Sequence, residues 1–264
     1  MEDLWDDQPR QWLRSARKLI FLPASSDVRT LSAITSSLIS LAKKNTSPSL
    51  SVASVIITYP ALPGLYAEDI SDTALYLSLP ILSGKHGYPP RTIASAYAGY
   101  GMGLCSSYLD EEKCRKEGLD LPVRSSILVD YSSTALFLHA QVIREAYDLG
   151  NPDTDLSVHF FSSQSDSALD NGMRRREIRD RVSELLFRAY KRFTGPLGPP
   201  EVISVLIVGE TDMVGVSEAV YGAAVDEGFK VGMFLSDAEF VAARGSAELA
   251  WRALSLSLAE KIEI

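Results

Sequence analysis

Apolar and polar positions follow two different periods along the chain. Leu31, Ile34, Leu38 and Leu41 fall on one stripe at helical spacing and predict a helix over 28–44, with Asp27 as its N-cap. Residues 52–58 (VASVIIT) form a short β-branched run that stops at Tyr59-Pro60 and predicts a strand. Residues 69–79, with Ile70, Leu75, Leu77 and Leu79 partly periodic, predict a second helix. Residues 93–104, rich in alanine and glycine, predict a third that packs very closely or is cut by its glycines. A strand near 88–92 completes this half.

The second half alternates more regularly. Residues 126–129 (SILV) read as a buried strand leading into Asp130, and 135–142 (ALFLHAQV) as its hairpin partner. A third strand is predicted at 156–161. A long helix with a basic start follows at 173–193, its apolar stripe including Ile178, Val182, Leu185, Leu186 and Tyr190. Then come a strand at 202–208, a helix at 214–226, a strand at 229–234 and a last helix capped by Asp237 and running to about Glu260. Breaker-rich stretches at 45–51, 83–90, 151–155 and 194–200 (TGPLGPP) separate the elements. The order in the second half is β-β-β-α-β-α-β-α; in the first it is α-β-α-β-α.

Composition narrows the partners. Of 264 residues, 46% are hydrophobic and 23% charged, which suits a folded α/β chain rather than a disordered one. The net charge of −8 disfavours nucleic acid, which needs a basic face. The apolar runs are far shorter than the roughly 20 residues that span a bilayer, so no membrane partner is expected. The N-terminus (MEDLWDDQPRQW) lacks the basic start of a secretory signal, and the last residues match no retention or lipidation signal. Cys105 and Cys114 make no disulfide framework, and with three histidines they offer no metal cluster. A reducing compartment is expected, cytoplasmic or nuclear.

Four patterns carry candidate chemistry. In 126–134 (SILVDYSST), Asp130 ends a buried strand and Ser132, Ser133 and Thr134 follow. An acid and hydroxyls in such a turn can hold Mg²⁺ and bond phosphate oxygens, or simply close a hairpin. In 205–216 (VLIVGETDMVGV), Gly209, Glu210 and Thr211 lie between a strand and a helix start, where backbone N–H groups favour anions; strand-to-helix turns also use glycine for its own sake. Residues 55–61 (VIITYPA) place Pro60 after a strand, as a hinge or a terminator. Residues 240–250 (FVAARGSAELA) make a small-residue helix on which Arg244 is either a ligand contact or a surface cation. His139 and His159 sit in strand patterns, where a solvated or hydrogen-bonded histidine is the plainer reading.

Taken in order, these patterns with 95–105 (SAYAGYGMGLC) resemble the actin-like ATPase fold of the DnaK-type heat-shock chaperones, and more closely the divergent DnaK-related proteins of filamentous fungi. The resemblance spans about 22–252. It implies an α/β fold of two ribonuclease-H-like lobes: an incomplete first lobe over 1–120, truncated at the N-terminus, and a complete second lobe over 121–264. It also implies ATP with Mg²⁺ in the cleft, near Asp130, Ser132, Ser133, Thr134, Gly209, Glu210 and Thr211, with Pro60 as the coupling proline.

The chain departs from that family at several points. The glycines expected after Asp130 are Ser132 and Ser133, and a second glycine after Gly209 is Glu210. Residues 91–95 (RTIAS) contain no acid to position water, and the first phosphate hairpin is missing. ATP binding is then weak and hydrolysis absent, because positioning and charge stabilisation are nearly all of phosphoryl-transfer catalysis. The strand at 52–58 would have an open edge. Residues 18–23 (KLIFLP) could supply a substitute strand; otherwise a partner chain or a second copy covers it, or the fold is kept only in part. Protein–protein interaction is the leading function. The alternative is an accessory enzyme or scaffold of a fungal secondary-metabolite pathway, using the old cleft for a small molecule.

Overall fold

The computed structural model describes residues 7–45, 54–62, 64–82, 89–132, 135–146, 157–161, 171–193, 202–210 and 214–262. In chain order these form α1 (Gln8–Leu19), α2 (Ser26–Asn45), α3 (Ala67–Tyr76), α4 (Thr92–Gly99) and α5 (Glu111–Asp120). They are followed by β1 (Arg124–Tyr131), β2 (Ala135–Ile143), β3 (Ser157–Phe161), α6 (Asn171–Phe193), β4 (Val202–Gly209), α7 (Val214–Asp226), β5 (Lys230–Phe234) and α8 (Val241–Ile262).

The second half follows the predicted order. Its five strands form one sheet in the order β3-β2-β1-β4-β5. β1 pairs antiparallel with β2 and parallel with β4, with Asp130 opposite Phe137 on one side and Val208 on the other. The continuous apolar run of β4 reflects burial on both faces. On one face, Ile127, Val129, Leu138, Val205 and Ile207 meet Val182, Leu185 and Leu186 of α6 and Val220 and Ala223 of α7. On the other, Leu128, Leu206 and Val208 meet Ile93 and Tyr97 of α4 and Val241 and Leu249 of α8. Each large side chain so buried contributes about 1.5–3 kcal/mol.

α4 and α8 touch backbone to backbone. A Cβ on Gly99 would overlap the Val241 carbonyl, and one on Gly245 would overlap the Ser95 carbonyl and the Gly99 nitrogen. Tyr100, just past α4, donates its hydroxyl to the Ile207 carbonyl on β4 at 2.6 Å. The small-residue pattern of 240–250 therefore serves close packing. Arg244 closes the end of α4: its Nε and Nη2 donate to the Gly99 carbonyl at 3.2 and 3.0 Å, and its Nη1 pairs with Asp237 at 2.8 Å. Asp237 is not the cap of α8 that its position suggests: it sits at φ 51°, four residues before the helix, and its carbonyl accepts the Val241 N–H at 2.9 Å.

The first half departs further from expectation. Among the described residues, 54–58 form no strand. Val55 makes one isolated bridge to Ile81 and Tyr59 one to Arg91, where a strand near 88–92 was expected. Residues 18–23 are not a substitute strand: Lys18 and Leu19 end α1, and a turn follows with Phe21 at φ 58°. α1 itself, with Asp7 capping at 3.1 Å and Pro9 in its first turn, was not anticipated. α2 begins on the Ser25 hydroxyl, which accepts the Val28 N–H at 3.1 Å, so Asp27 lies within the first turn and is not the cap. α2 buries Val28 and Ser32 rather than its apolar stripe.

α1 docks on α3 by charge. Arg14, only 2% exposed, donates to Asp69 at 2.7 Å and to Asp72 at 2.6 Å, and its Nε lies 3.2 Å from Glu68, off the hydrogen-bond direction. Lys18 reaches Asp72 at 3.0 Å and Arg10 reaches Glu68 at 3.3 Å. Burial alone would lower the Arg14 pKa; the carboxylates of Asp69 and Asp72 outweigh it and raise it. Cys105 and Cys114 are joined in a disulfide that ties the segment after α4 to α5, where the sequence reading expected no disulfide framework and a reducing compartment.

Candidate functional site

β1 and β4 run parallel side by side, and their carboxyl ends lie together. In an open α/β sheet this is where ligands collect. Asp130 and Tyr131 close β1, opposite Val208 and Gly209 of β4. Gly209 is held at φ 112°, and a Cβ there would overlap the Tyr131 carbonyl. Glycine at this position is thus a condition of the close approach of the two strand ends.

Among the described residues, three backbone donors at these ends are already in use. The Ser132 N–H donates to the Ala135 carbonyl at 2.8 Å, the Gly209 N–H to Ala238 at 3.2 Å and the Glu210 N–H to Tyr131 at 3.0 Å. The Ser132 hydroxyl accepts the Ala135 N–H at 3.0 Å. This is the local bonding of a hairpin turn. Ser133, Thr134 and Thr211 lie outside the described residues. The site thus joins Asp130, Ser132, Gly209 and Glu210, with two carboxylates among them. Of the described amides here, those of Ser132, Gly209 and Glu210 are spent on the chain's own carbonyls.

Asp130 shares the α4-facing side of the sheet with Leu128 and Ser126. Burial pushes its carboxyl up to about 6. On the same side of β2, two residues beyond Phe137, stands His139. It is 4% exposed and neither ring nitrogen has a hydrogen-bond partner. Burial first, then the nearby charge of Arg91, holds its pKa down to about 4; Gln141 pulls it partly back without the geometry of a hydrogen bond. His139 is therefore neutral. Arg91 stands over the Tyr59 ring at 5.6 Å and has its own pKa lowered by burial. His159, on β3 opposite Phe137, lies 5.8 Å from that ring, and burial lowers its pKa too.

A solvated or hydrogen-bonded His139 was the sequence expectation; the structure buries the ring and gives neither nitrogen a protein partner. The signal was present in the alternation, which puts 137, 139 and 141 on the face of 126, 128 and 130. It needed the strand register to be read. Among the described residues no group of His, Cys, Asp and Glu is placed to hold a metal ion. Among them, too, no helix is long and apolar enough to cross a membrane.

No family model matches the chain, and no curated protein does. Among solved structures, the chain is similar to the apo pSK41 ParM protein at 12% identity and a TM-score of 0.44, over 92% of this chain and 76% of that one. It is also similar to the PilM–PilN type IV pilus biogenesis complex at 13% identity and a TM-score of 0.33, over 72% of this chain and 56% of that one. ParM and PilM are members of the actin-like ATPase fold. Neither likeness carries residues or activity across, and neither bears on the heat-shock chaperones. The α/β architecture rests on the strand order itself.

Proposed function

We propose that the chain is a degenerate actin-like protein that holds ATP and Mg²⁺ weakly, does not hydrolyse it, and acts through contact with other protein chains. In this reading residues 1–120 are an incomplete first lobe and 121–264 a complete second one. The observation that supports it is the pair of strand ends. Asp130 and Gly209 stand where such a sheet takes its ligand, yet the amides of Ser132, Gly209 and Glu210 are engaged internally. Whatever nucleotide binding remains would use Asp130, Ser132, Ser133, Thr134, Gly209, Glu210 and Thr211. The relation to fungal heat-shock-like proteins and the secondary-metabolite alternative rest on the resemblance alone.

A thermal melt with and without millimolar Mg²⁺-ATP, paired with a phosphate-release assay, tests this. A ligand at 100 times its dissociation constant stabilises by about 2.7 kcal/mol, a shift of roughly 5 °C or more at this size. The expected result is a shift well short of that and no phosphate release above the blank. A full shift that Asp130→Ala abolishes would make this a competent nucleotide site and overturn the degenerate reading. Phosphate release lost in the same variant would overturn the absence of hydrolysis.

A further inference from the structure

We propose that α2 is a self-association seam, and that its occupant is the α2 of a second copy of this chain, running antiparallel about a two-fold axis. Ile34, Leu38 and Leu41 are 53%, 61% and 56% exposed on the described surface, and Leu31 is half-buried beside them. These four are spaced three, four and three residues apart. The line continues by steps of four to Asp27 at one end and Asn45 at the other. That alternation is the seam of a helix pair, not the broader face of a helix lying on a core. The face of α2 that is buried, Val28 and Ser32, is a different one.

The seam is complementary to itself only in one orientation. About a two-fold near residue 36, Leu31 meets Leu41 of the second copy and Ile34 meets its Leu38. Asp27 at the helix start then comes beside Asn45 and Lys44 at the other helix's end. Neither Asp27 nor Lys44 has an ion-pair partner among the described residues, and both are exposed. A parallel pair would set Asp27 against Asp27 and align the helix dipoles, both unfavourable. Thr30 and Ser37, which flank the seam, already donate to the Ser26 and Ala33 carbonyls at 3.2 and 2.9 Å, so packing strands no hydroxyl. An anionic membrane is the poorer occupant. It would need a cationic rim along the apolar stripe, whereas α2 has only Arg29, Lys43 and Lys44, Asp27 lies on the stripe itself, Arg10, Arg14 and Lys18 of α1 are committed to α3, and the chain carries a net charge of −8.

This names a partner for the protein-contact part of the proposed function and rests on that part alone. The measurement omits nucleotide, so its failure is distinct from failure of the ATP melt. One helix pair is smaller than the roughly 800 Å² per partner of a standard interface, so the dimer is a weak one, in the micromolar range. Sedimentation equilibrium from micromolar to submillimolar protein should show a monomer–dimer equilibrium. Leu38→Glu, at an exposed position, should leave the circular dichroism unchanged and give monomer throughout. Asp27→Lys and Lys44→Asp should each raise the dissociation constant about three- to tenfold, and together in one chain should restore it. A single monomeric mass at all concentrations overturns the proposal, whether or not the chain then floats with anionic vesicles. So does a dimer that survives Leu38→Glu. Failure of the double charge reversal to restore pairing overturns the antiparallel arrangement.

Discussion

Two helix contacts in this molecule are made in opposite ways. α1 meets α3 through long charged side chains, with Arg14 buried between Glu68, Asp69 and Asp72. α4 meets α8 through glycines, with Gly99 and Gly245 leaving no room for a Cβ. The first contact is sensitive to the charge of one residue and tolerant of spacing; the second is indifferent to charge and intolerant of a single carbon. The first also lies off the sheet, whereas the second is continuous with the apolar layer on Leu128, Leu206 and Val208. Loss of the first should therefore be local, and loss of the second should be felt by the sheet.

Arg14→Met is the strongest test of that difference. It leaves three carboxylates facing each other with their buried counter-charge gone, a change that typically costs about 3–5 kcal/mol. Hydrogen exchange should show α1 amides losing protection while β1 and β4 keep theirs. Arg14→Lys should fall between, because it keeps the charge but lacks the planar fork whose Nη1 and Nη2 reach Asp69 and Asp72 from separate atoms. Parallel loss of protection in α1 and in β4 would show that the two regions are one cooperative unit, and the contrast would fail.

Gly245→Ala probes the other contact. The added carbon meets the backbone of Ser95 and Gly99, which cannot rotate aside as a side chain would. Overpacking of this kind costs about 1–3 kcal/mol, and at this chain length each kcal/mol lowers the melting temperature by roughly 2–4 °C. Gly228→Ala is the control: φ is 83°, but nothing lies within 4 Å of its Cβ position, so only backbone strain of about 1–2 kcal/mol applies. A Gly245→Ala melt no lower than the Gly228→Ala melt would mean that α4 and α8 can slide apart freely.

The same contrast explains what could be read from the sequence. The sheet and its helices were legible because their burial is apolar and periodic: α7 runs Val214–Asp226 as its pattern predicts, and β4 needs only one residue added. α1 was not legible because its docking residues Arg10, Arg14 and Lys18 repeat every four positions in charge, not in hydrophobicity. α5 was missed for a related reason: only Gly118 of it is buried, and Cys114 tethers it. The run at 52–58 looked like a strand because it is β-branched. Pairing needs a neighbour, and among the described residues Val55 finds one only at Ile81. At the candidate site, Asp130 and Gly209 were legible as strand ends, whereas the internal use of the Ser132 and Glu210 amides depends on register.

The smallest net effect comes from two groups on the α4-facing side of the sheet that oppose each other. Burial raises Asp130 from 3.8 to about 6, so the folded state binds a proton more tightly than the unfolded one. Its contribution is fully present below 3.8 and is lost as the pH rises through 6. Burial and Arg91 lower His139 from 6.5 to about 4, so the folded state binds that proton less tightly. Its contribution is fully present above 6.5 and is lost as the pH falls through 4. Each shift of roughly two pH units is worth about 3 kcal/mol at most, at 1.36 kcal/mol per unit. Between pH 4 and 6 one slope therefore largely cancels the other. Asp130→Asn should uncover the His139 slope, gaining about 2–3 kcal/mol relative to the parent as the pH is raised from 4 to 6.5. His139→Gln should uncover the opposite slope over the same window. Urea denaturation of the three chains at half-unit pH steps would decide it. If the two variants track the parent with a constant offset, neither group is desolvated and the strand ends of β1 and β4 are open to water.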